Sequence, residues 1–395
     1  MTPAARAQAA IDLLDQIILA AREGGAAADT LIARYFSTRR YAGSKDRRAV
    51  RELVYAAIRG AGDLPATGRA ALLRVASDDP ALTASFDGSP YGPAIIDPDE
   101  PRASPGIAPK WLVDALLKSG LSRAQLPALI DRAPLDVRVN TMKATRDAIL
   151  ATIPDAQPTP LAAHGIRLPA GTNVEALAAY NEGAIEVQDE GSQIVGAALA
   201  AAPGQRIVDL CAGAGGKTLA LAAAMAGDGV ILACDTDRGR LSRLPARAER
   251  AGVSIIETRL LNPGRETDML ADWRAEADGV LIDAPCSGTG TWRRNPEARW
   301  RLSPDRLARL RATQGHVLDI GAAMVRPGGV LVYIVCSLLD GEGPDQVALF
   351  LDRHPGWTGM PLSLSAGKPH RNGVRLDPAT DGTDGFFVAK LSAPC

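Results

Sequence analysis

The second half of the chain alternates short buried strands with helices, and this alternation constrains the fold more than any other feature. After Gly204 the apolar runs RIVDL, GVILACD, SIIETRL, DGVLIDAP and GGVLVYIVCS are separated by helical patterns or polar loops. Such alternation implies right-handed crossovers and a parallel sheet that is covered on both faces. We therefore expect a doubly wound α/β domain, with the terminal run GFFVAKL paired antiparallel at an edge of the sheet.

A glycine-rich loop, DLCAGAGGKT, follows the first of these strands. Three ligands suit a loop of this kind: a nucleoside triphosphate, a dinucleotide or S-adenosylmethionine (SAM). Cys211 stands where a triphosphate loop needs glycine, and Thr218 stands where the dinucleotide fingerprint needs its third glycine. Asp235 ends the second strand, where a carboxylate can hold ribose hydroxyls or simply cap the next helix. The pattern favours SAM.

Two of the five cysteines stand at strand ends. Cys286 follows the fourth strand in DAPCSG, and Cys336 ends the fifth strand in VYIVCS. Ligands of a doubly wound sheet lie beyond the carboxyl ends of its strands, so the two thiols are expected to face a cleft beside the glycine loop. A thiolate that adds to carbon-6 of a pyrimidine makes carbon-5 nucleophilic toward a methyl sulfonium. Asp283 can hydrogen-bond the edge of an extruded cytosine. The residues alone leave open which cysteine attacks, and core packing is the alternative for the other cysteines.

The rest of the chain predicts smaller domains. Residues 1–77 carry amphipathic helix patterns such as KDRRAVRELVYAAIRG. Residues 78–109 are rich in Pro, Gly, Asp and Ser, which predicts a linker or, alternatively, an extended segment packed along the surface. Residues 110–190 mix a helix with strands and predict a small α+β subdomain, and residues 191–395 form the α/β domain.

Composition excludes some classes of protein. No apolar run reaches the roughly 18 residues of a membrane-spanning helix, and the N-terminus lacks a signal-peptide pattern, so we expect a cytoplasmic protein. The odd number of widely spaced cysteines and the four scattered histidines predict neither a disulfide framework nor a metal site. We expect a monomer.

Basic residues cluster in two places, although the formal net charge of the chain is only −1. One cluster lies between Ser37 and Gly60, and the other, from Thr291 to Arg311, is interleaved with tryptophans. A solvated helix face is the ordinary meaning of such a run, but concentration in a near-neutral chain favours contact with RNA. The candidate RNA contacts are Arg39, Arg40, Lys45, Arg47, Arg48, Arg138, Asn140, Arg293 and Arg294.

The ordered motifs DLCAGAGGKT, DAPCSGTG and YIVCSL, with VRVNTMK, VQDEGSQ and DGFFVAKL, resemble the NOP/Sun family of RNA cytosine-5 methyltransferases. The segment DRRAVRELVY resembles the NusB-like domain that bacterial rRNA methyltransferases of this family carry. The resemblance covers nearly the whole chain from Ala4. It implies a multidomain protein with an all-α NusB-like RNA-binding domain, a small α+β RNA-binding subdomain and a class I, Rossmann-like SAM-dependent methyltransferase domain.

The resemblance also implies a role for each site residue. Cys336 matches the nucleophile, Cys286 matches the cysteine that assists release, and Asp283 matches the cofactor and base side. The implied cofactor positions are Cys211, Ala212, Gly213, Ala214, Gly215, Gly216, Lys217, Asp235, Asn262 and Asp283. The chain departs from the family pattern at Gly213-Ala214, where the family has Ala-Pro, at Asn262, where it has Asp, and at Val335, where it has Thr.

We therefore expect a SAM-dependent enzyme that methylates carbon-5 of cytosine in RNA, with small-subunit (16S) rRNA as the substrate and tRNA as an alternative. One rival is a non-catalytic RNA-binding or ribosome assembly factor with a retired methyltransferase domain. Retention of both cysteines, Asp235 and Asp283 argues against it. The other rival is a nicotinamide-dependent oxidoreductase, which Thr218 and the paired cysteines oppose.

Overall fold

The computed structural model describes all 395 residues and divides them into two compact units. The first unit comprises Met1–Arg132 and Ser287–Pro304, and the second comprises Ala133–Cys286 and Asp305–Cys395. These boundaries differ from the expected ones, because residues 78–132 join the helical unit and residues 133–190 join the unit that carries the large sheet. No helix in the structure combines the length and the apolar character that crossing a membrane requires.

The first unit is built from helices around one apolar core. Its first helix begins at Pro3 beneath a cap from the Thr2 hydroxyl, and it ends where Gly24 adopts the left-handed conformation with φ of 74°. Within that helix Leu13 and Ile17 are buried, whereas Leu19 is exposed. The helices are α1 (Pro3–Glu23), α2 (Ala28–Ser37), α3 (Ser44–Gly60), α4 (Gly68–Ala76), α5 (Pro80–Thr83) and α6 (Lys110–Lys118).

The proline-rich segment packs along these helices and does not hang free as a linker. The backbone N–H of Ala103 donates to the carbonyl of Ala70 at 3.0 Å, and the N–H of Gly62 donates to the carbonyl of Ser104 at 3.0 Å. Ala103 is buried in the core of the unit. Apart from α5, the segment is extended and irregular, so the alternative interpretation of residues 78–109 describes it.

The segment Ser287–Pro304 belongs to the core of the helical unit, although its neighbours in sequence belong to the second unit. Trp300 is buried in that core. The fully buried guanidinium of Arg299 donates to the carbonyls of Ile58, at 2.5 Å, and Ala61, at 2.8 Å. These bonds supply donors to carbonyl groups at the end of α3, where no further helical turn provides N–H groups for them.

The second unit contains two sheets with helices around them. The strands are β1 (Leu135–Val139), β2 (Gln157–Pro158), β3 (Gly165–Leu168), β4 (Ile185–Val187), β5 (Arg206–Asp209), β6 (Val230–Asp235), β7 (Ile256–Leu260), β8 (Ala277–Asp283), β9 (Val325–Val335), β10 (Thr358–Met360), β11 (Lys368–His370), β12 (Gly373–Leu376) and β13 (Phe386–Ser392). The helices are α7 (Arg146–Leu150), α8 (Ala178–Asn181), α9 (Glu190–Gly196), α10 (Gly216–Ala224), α11 (Arg238–Leu241), α12 (Leu244–Ala251), α13 (Glu266–Met269), α14 (Pro304–Met324), α15 (Pro344–Arg353) and α16 (Pro378–Asp381).

The large sheet confirms the predicted doubly wound arrangement. Strands β5 to β9 are parallel in the order β7-β6-β5-β8-β9, so the strands that precede the glycine loop and the two cysteines are adjacent. Alternate residues enter the apolar cores on its two faces: Ile207 lies in one core and Val208 in the other. Strand β13 pairs antiparallel with β9 as expected. The expectation that it forms an edge is wrong, because β12 and β10 pair with it as well.

The small sheet has the order β2-β3-β1-β4 and is antiparallel throughout. Its own apolar core includes Val137 and Val139 of β1. The sheet therefore forms a small α+β layer at residues 133–190, within the same compact unit as the large sheet.

Candidate active site

The two cysteines at the strand ends lie against each other. The Sγ atoms of Cys286 and Cys336 are 3.4 Å apart, and both side chains are half-buried. The register explains this, because Asp283 of β8 pairs with Ile334 of β9 and both chains leave the sheet within a few residues of that pair. The structure thus brings together the thiols that the strand order predicted to share a cleft.

The glycine loop turns the chain sharply from β5 into α10. Gly213 and Gly215 have φ of 56° and 85°, a left-handed conformation that side chains rarely tolerate. A Cβ atom on Gly215 would lie 2.1 Å from Cδ1 of Leu244, whereas a Cβ on Gly216 would meet nothing within 4 Å. The loop therefore needs glycine at 215 for its own fold, and at Gly216 its backbone borders open space.

Asp235 holds this loop in place from the end of β6. Its buried carboxylate accepts from the backbone N–H of Gly213 and from that of Asp237, both at 2.7 Å. The cap of the following helix comes from Asp237, whose side chain accepts from the N–H of Arg240. Asp235 therefore does not cap the following helix. Its carboxylate retains lone pairs that can accept hydrogen bonds from ribose hydroxyls.

Lys217 and Asp283 form an ion pair that joins the glycine loop to the end of β8. The Nζ atom of Lys217 lies 2.6 Å from Oδ2 of Asp283. Burial alone lowers the pKa of Lys217, but the carboxylate of Asp283 outweighs it and raises that pKa above its ordinary value. Negative charge on Cys336 also raises the pKa of Lys217, so this ammonium is a nearby positive charge for a thiolate at Cys336.

The other cysteines near the loop behave as packing groups. Burial raises the pKa of the Cys211 thiol well above its ordinary value and raises the pKa of Cys234 to about 12. Both thiols therefore stay protonated near neutral pH, as the core-packing alternative requires.

Asn262, another expected cofactor contact, is exposed and lies two residues beyond the end of β7. The last residue of that strand, Leu260, pairs with Asp235 at the end of β6.

The expected RNA contacts fall into three groups by exposure. Arg40, Lys45, Arg47 and Arg48 are exposed in the first unit. Arg39 lies over the ring of Tyr35, with its guanidinium carbon 3.6 Å from the ring centre, and Arg294 is half-buried. The remaining three candidates are buried: Arg138, Asn140 and Arg293.

The burial of these three side chains weighs against direct contact with RNA, and that contact stays a prediction. Arg138 donates to Oε1 of Gln188 at 2.7 Å. The amide of Asn140 donates to the carbonyls of Gly183 and Ala251. Strand β1 lies inside the small sheet and its residues from Asp136 to Val139 are buried, so neither face of the strand is open to solvent.

Two buried residues that sequence reasoning missed lie beside the cysteine loops, namely Glu342 and Gln314. The side-chain amide of Gln314 donates to Oε1 of Glu342 at 3.1 Å, and the two residues are 28 positions apart. Nothing in the local pattern of either segment marks this pair, since only the packing of α14 against the sheet brings them together.

No group of three or more His, Cys, Asp or Glu side chains is arranged to hold a metal ion.

The fold and the site together are typical of Rossmann-like methyltransferases, with a glycine loop after the first parallel strand and an acidic residue at the end of the second. Residues 196–392 match the family described as the 16S rRNA methyltransferase RsmB/F. The chain belongs to this family through that region. Over 292 residues it is 37% identical to the ribosomal RNA small subunit methyltransferase B of Salmonella arizonae, an alignment that covers 72% of this chain and 66% of that relative.

Solved structures share the fold. The crystal structure of PH0851 superimposes with a TM-score of 0.79 at 24% identity, and the match covers 99% of both chains. A methyltransferase homolog protein from Pyrococcus horikoshii superimposes with a TM-score of 0.60 at 27% identity, over 72% of this chain and 99% of its own. The first of these matches extends the likeness of fold to the helical N-terminal region.

Proposed function

We propose that this protein is a SAM-dependent RNA methyltransferase that transfers a methyl group to carbon-5 of a cytosine, with small-subunit rRNA as its substrate. The observation that carries the proposal is the 3.4 Å contact between the thiols of Cys286 and Cys336. Membership of the RsmB/F family and the rRNA methyltransferase name of the Salmonella relative support it.

The residues around the glycine loop fit SAM. The space bordered by Gly216 lets a ligand approach the backbone at the start of α10, and the Asp235 carboxylate beside it suits ribose hydroxyls. In this proposal the cofactor is held by the loop from Cys211 to Lys217, by Asp235 and by Asn262. Bound there, SAM would supply an electrophilic methyl group to carbon-5: the bond between its sulfonium sulfur and the methyl carbon would break, and the sulfur would leave as a neutral thioether.

The two cysteines divide the work of the reaction. In the proposed cycle the thiolate of Cys336 adds to carbon-6 of the cytosine, which makes carbon-5 nucleophilic toward the methyl group. The thiolate of Cys286 then removes the proton from carbon-5, and elimination from carbon-6 returns the Cys336 thiolate and releases the methylated base. Because Lys217 holds Oδ2 of Asp283, the other carboxylate oxygen is left to accept from the edge of the base.

Trapping of a covalent adduct tests these roles. With undermethylated small-subunit rRNA and SAM, the Cys286→Ala variant is expected to accumulate a protein–RNA adduct that survives denaturing electrophoresis, because it cannot release the base. The Cys336→Ala variant should form none, and Cys395→Ala, which changes an exposed terminal cysteine, should turn over like the wild type. The reverse pattern for the first two variants would exchange their roles.

Methyl transfer itself is measured with SAM that carries tritium in its methyl group. Digestion of the RNA and separation of the nucleosides should place the label on 5-methylcytidine. Parallel reactions with tRNA test the substrate, since faster labelling of tRNA would overturn the choice of rRNA. Absence of label on cytosine in both RNAs would refute the proposed reaction.

A further inference from the structure

A buried hydrogen-bond network connects the two loops that carry the cysteines. We propose that Gln314 and Glu342 are positioning residues that set the separation of the thiols of Cys286 and Cys336. Their catalytic role rests on the function proposed above, whereas their effect on the placement of the thiols does not.

Glu342 holds the loop that follows Cys336. Its side chain is fully buried, and Oε2 accepts from the hydroxyl of Ser337 at 2.6 Å. The backbone carbonyl of Glu342 accepts from the hydroxyl of Tyr333 at 2.6 Å. Ser337 directly follows the proposed nucleophile, so the carboxylate fixes the chain one residue from Cys336.

Gln314 joins that loop to the one that carries Cys286. It projects from α14, is fully buried, and its Nε2 atom donates to Oε1 of Glu342 at 3.1 Å and to the carbonyl of Pro285 at 2.9 Å. Pro285 directly precedes Cys286. One amide group, with both of its N–H bonds used, therefore bridges a neighbour of each cysteine.

The proposed reaction depends on the separation of the two thiols, which this bridge would set. In the proposed cycle the two sulfur atoms act on adjacent ring carbons of one base, so their separation and direction must be held while the base is bound. A displacement of about 1 Å at a reacting group can lower a rate by roughly 100-fold. Hydrogen bonds to an ionised carboxylate are stronger than bonds between neutral groups, and burial strengthens them further, which suits a rigid spacer.

Replacement of Gln314 by Leu tests the inference, because Leu has a similar size and donates no hydrogen bond. The first readout is the rate at which diamide joins Cys286 and Cys336 in a disulfide, measured by mass spectrometry in the otherwise unaltered full-length protein. This rate depends on thiol placement and requires no methyltransferase activity. We expect it to fall by about tenfold or more in Gln314→Leu, while the separate rates at which iodoacetamide alkylates each thiol stay within about twofold of wild type.

The second readout is steady-state methylation of RNA. For Gln314→Leu we expect kcat to fall by roughly 10- to 100-fold, with the KM for RNA changed by less than about twofold, since the residue does not touch the substrate. Glu342→Gln should be milder than Glu342→Ala, because its amide oxygen still accepts one of the two side-chain hydrogen bonds. If Gln314 and Glu342 only stabilised the fold, Glu342→Gln would not be milder than Glu342→Ala while the alkylation rates of both thiols stayed unchanged.

Met324→Ala is the matched control for loss of stability. Met324 is also fully buried on α14, but it lies ten residues from Gln314, roughly 15 Å along the helix axis. The Met324→Ala variant should have a lower melting temperature than the wild type and the same rate of disulfide formation between Cys286 and Cys336.

The possible outcomes separate the two proposals. If Gln314→Leu forms the disulfide as fast as wild type, or if single-thiol alkylation slows in parallel with disulfide formation, the positioning inference is wrong. If disulfide formation slows selectively but the wild type methylates no cytosine, the network positions the thiols as inferred and the proposed function fails.

Discussion

Asp209 is a buried carboxyl group at the end of β5, directly before the glycine loop. It is fully buried, and its Oδ2 atom accepts from the hydroxyl of Thr218 at 2.6 Å. Burial is the main cause that raises the pKa of Asp209 to about 7, and the nearby charge of Asp283 adds to it. The folded protein therefore holds a proton here at a pH where the unfolded chain does not.

The expected pH dependence follows from this difference. A raised pKa in the folded state means that the stability contribution of Asp209 is fully present below the unfolded pKa of about 3.9 and is lost as the pH rises through 7. Replacement by Asn removes the ionisation, so between pH 5 and pH 8 the wild type should lose about 2–3 kcal/mol relative to Asp209→Asn. Urea unfolding at several pH values measures this.

Asp278→Asn is the control for this prediction. Partial burial opposes the charge of Asp278, but hydrogen bonds from the backbone of Arg206 and from the Arg326 side chain lower its pKa. Asp278 is thus ionised in both states between pH 5 and pH 8, and the difference between its variant and the wild type should not change over that range. An equally flat difference for Asp209→Asn would show that Asp209 ionises normally in the folded protein.

At the scale of elements, folding and the proposed cofactor binding depend on different glycines of the glycine loop. Gly215→Ala places a Cβ against Leu244 at a backbone φ of 85°, so we expect a loss of about 1–3 kcal/mol in stability. The added methyl group of Gly216→Ala meets open space, so the melting temperature should stay nearly unchanged. The same methyl group would occupy part of the proposed SAM site, so the affinity for SAM should fall. Thermal unfolding with calorimetric titration of SAM distinguishes the two, and undiminished affinity in Gly216→Ala would place the cofactor elsewhere.

Elements with local signals were predictable, and those defined by distant partners were not. The order of β5, β8 and β9 follows from the alternation of strands and helices, because crossover handedness leaves few arrangements, and that order brings Cys286 and Cys336 together. The interior position of β13 was missed, since the short strands β10 and β12 carry little pattern of their own. The link between Gln314 and Glu342 was missed because it exists only after α14 packs on the sheet.

At the scale of the whole molecule, the basic residues of this chain serve different purposes that their sequence clusters do not distinguish. Arg299 belongs to the basic run after Cys286, yet its guanidinium is fully buried and donates to the carbonyls of Ile58 and Ala61. These partners lie about 240 positions earlier in the chain, so no local pattern reveals them. Arg40, Lys45 and Arg48, by contrast, are exposed in the first unit.

The salt dependence of RNA binding separates these two kinds of basic residue. Each phosphate contact adds about 0.7–0.9 to the slope of log affinity against log salt. Replacement of the exposed residues Arg40, Lys45 and Arg48 together by Ala should weaken RNA binding and reduce that slope by about 2, with little change in melting temperature. Fluorescence anisotropy with labelled rRNA between about 50 and 200 mM KCl covers the range in which such slopes are measured.

Arg299→Met provides the contrast, because it removes the guanidinium that donates to the buried carbonyls of Ile58 and Ala61. These carbonyls then keep only longer bonds of 3.4 Å, from the backbone N–H of Ala61 and the indole N–H of Trp300. We expect it to destabilise the helical unit by several kcal/mol and to speed hydrogen exchange around Ile58 and Ala61, since an unsatisfied buried polar group costs about 1–3 kcal/mol. At temperatures where this variant remains folded, its salt slope should equal that of the wild type. If the triple surface variant keeps the full slope while Arg299→Met loses it, RNA is bound elsewhere than on the exposed basic residues of the first unit.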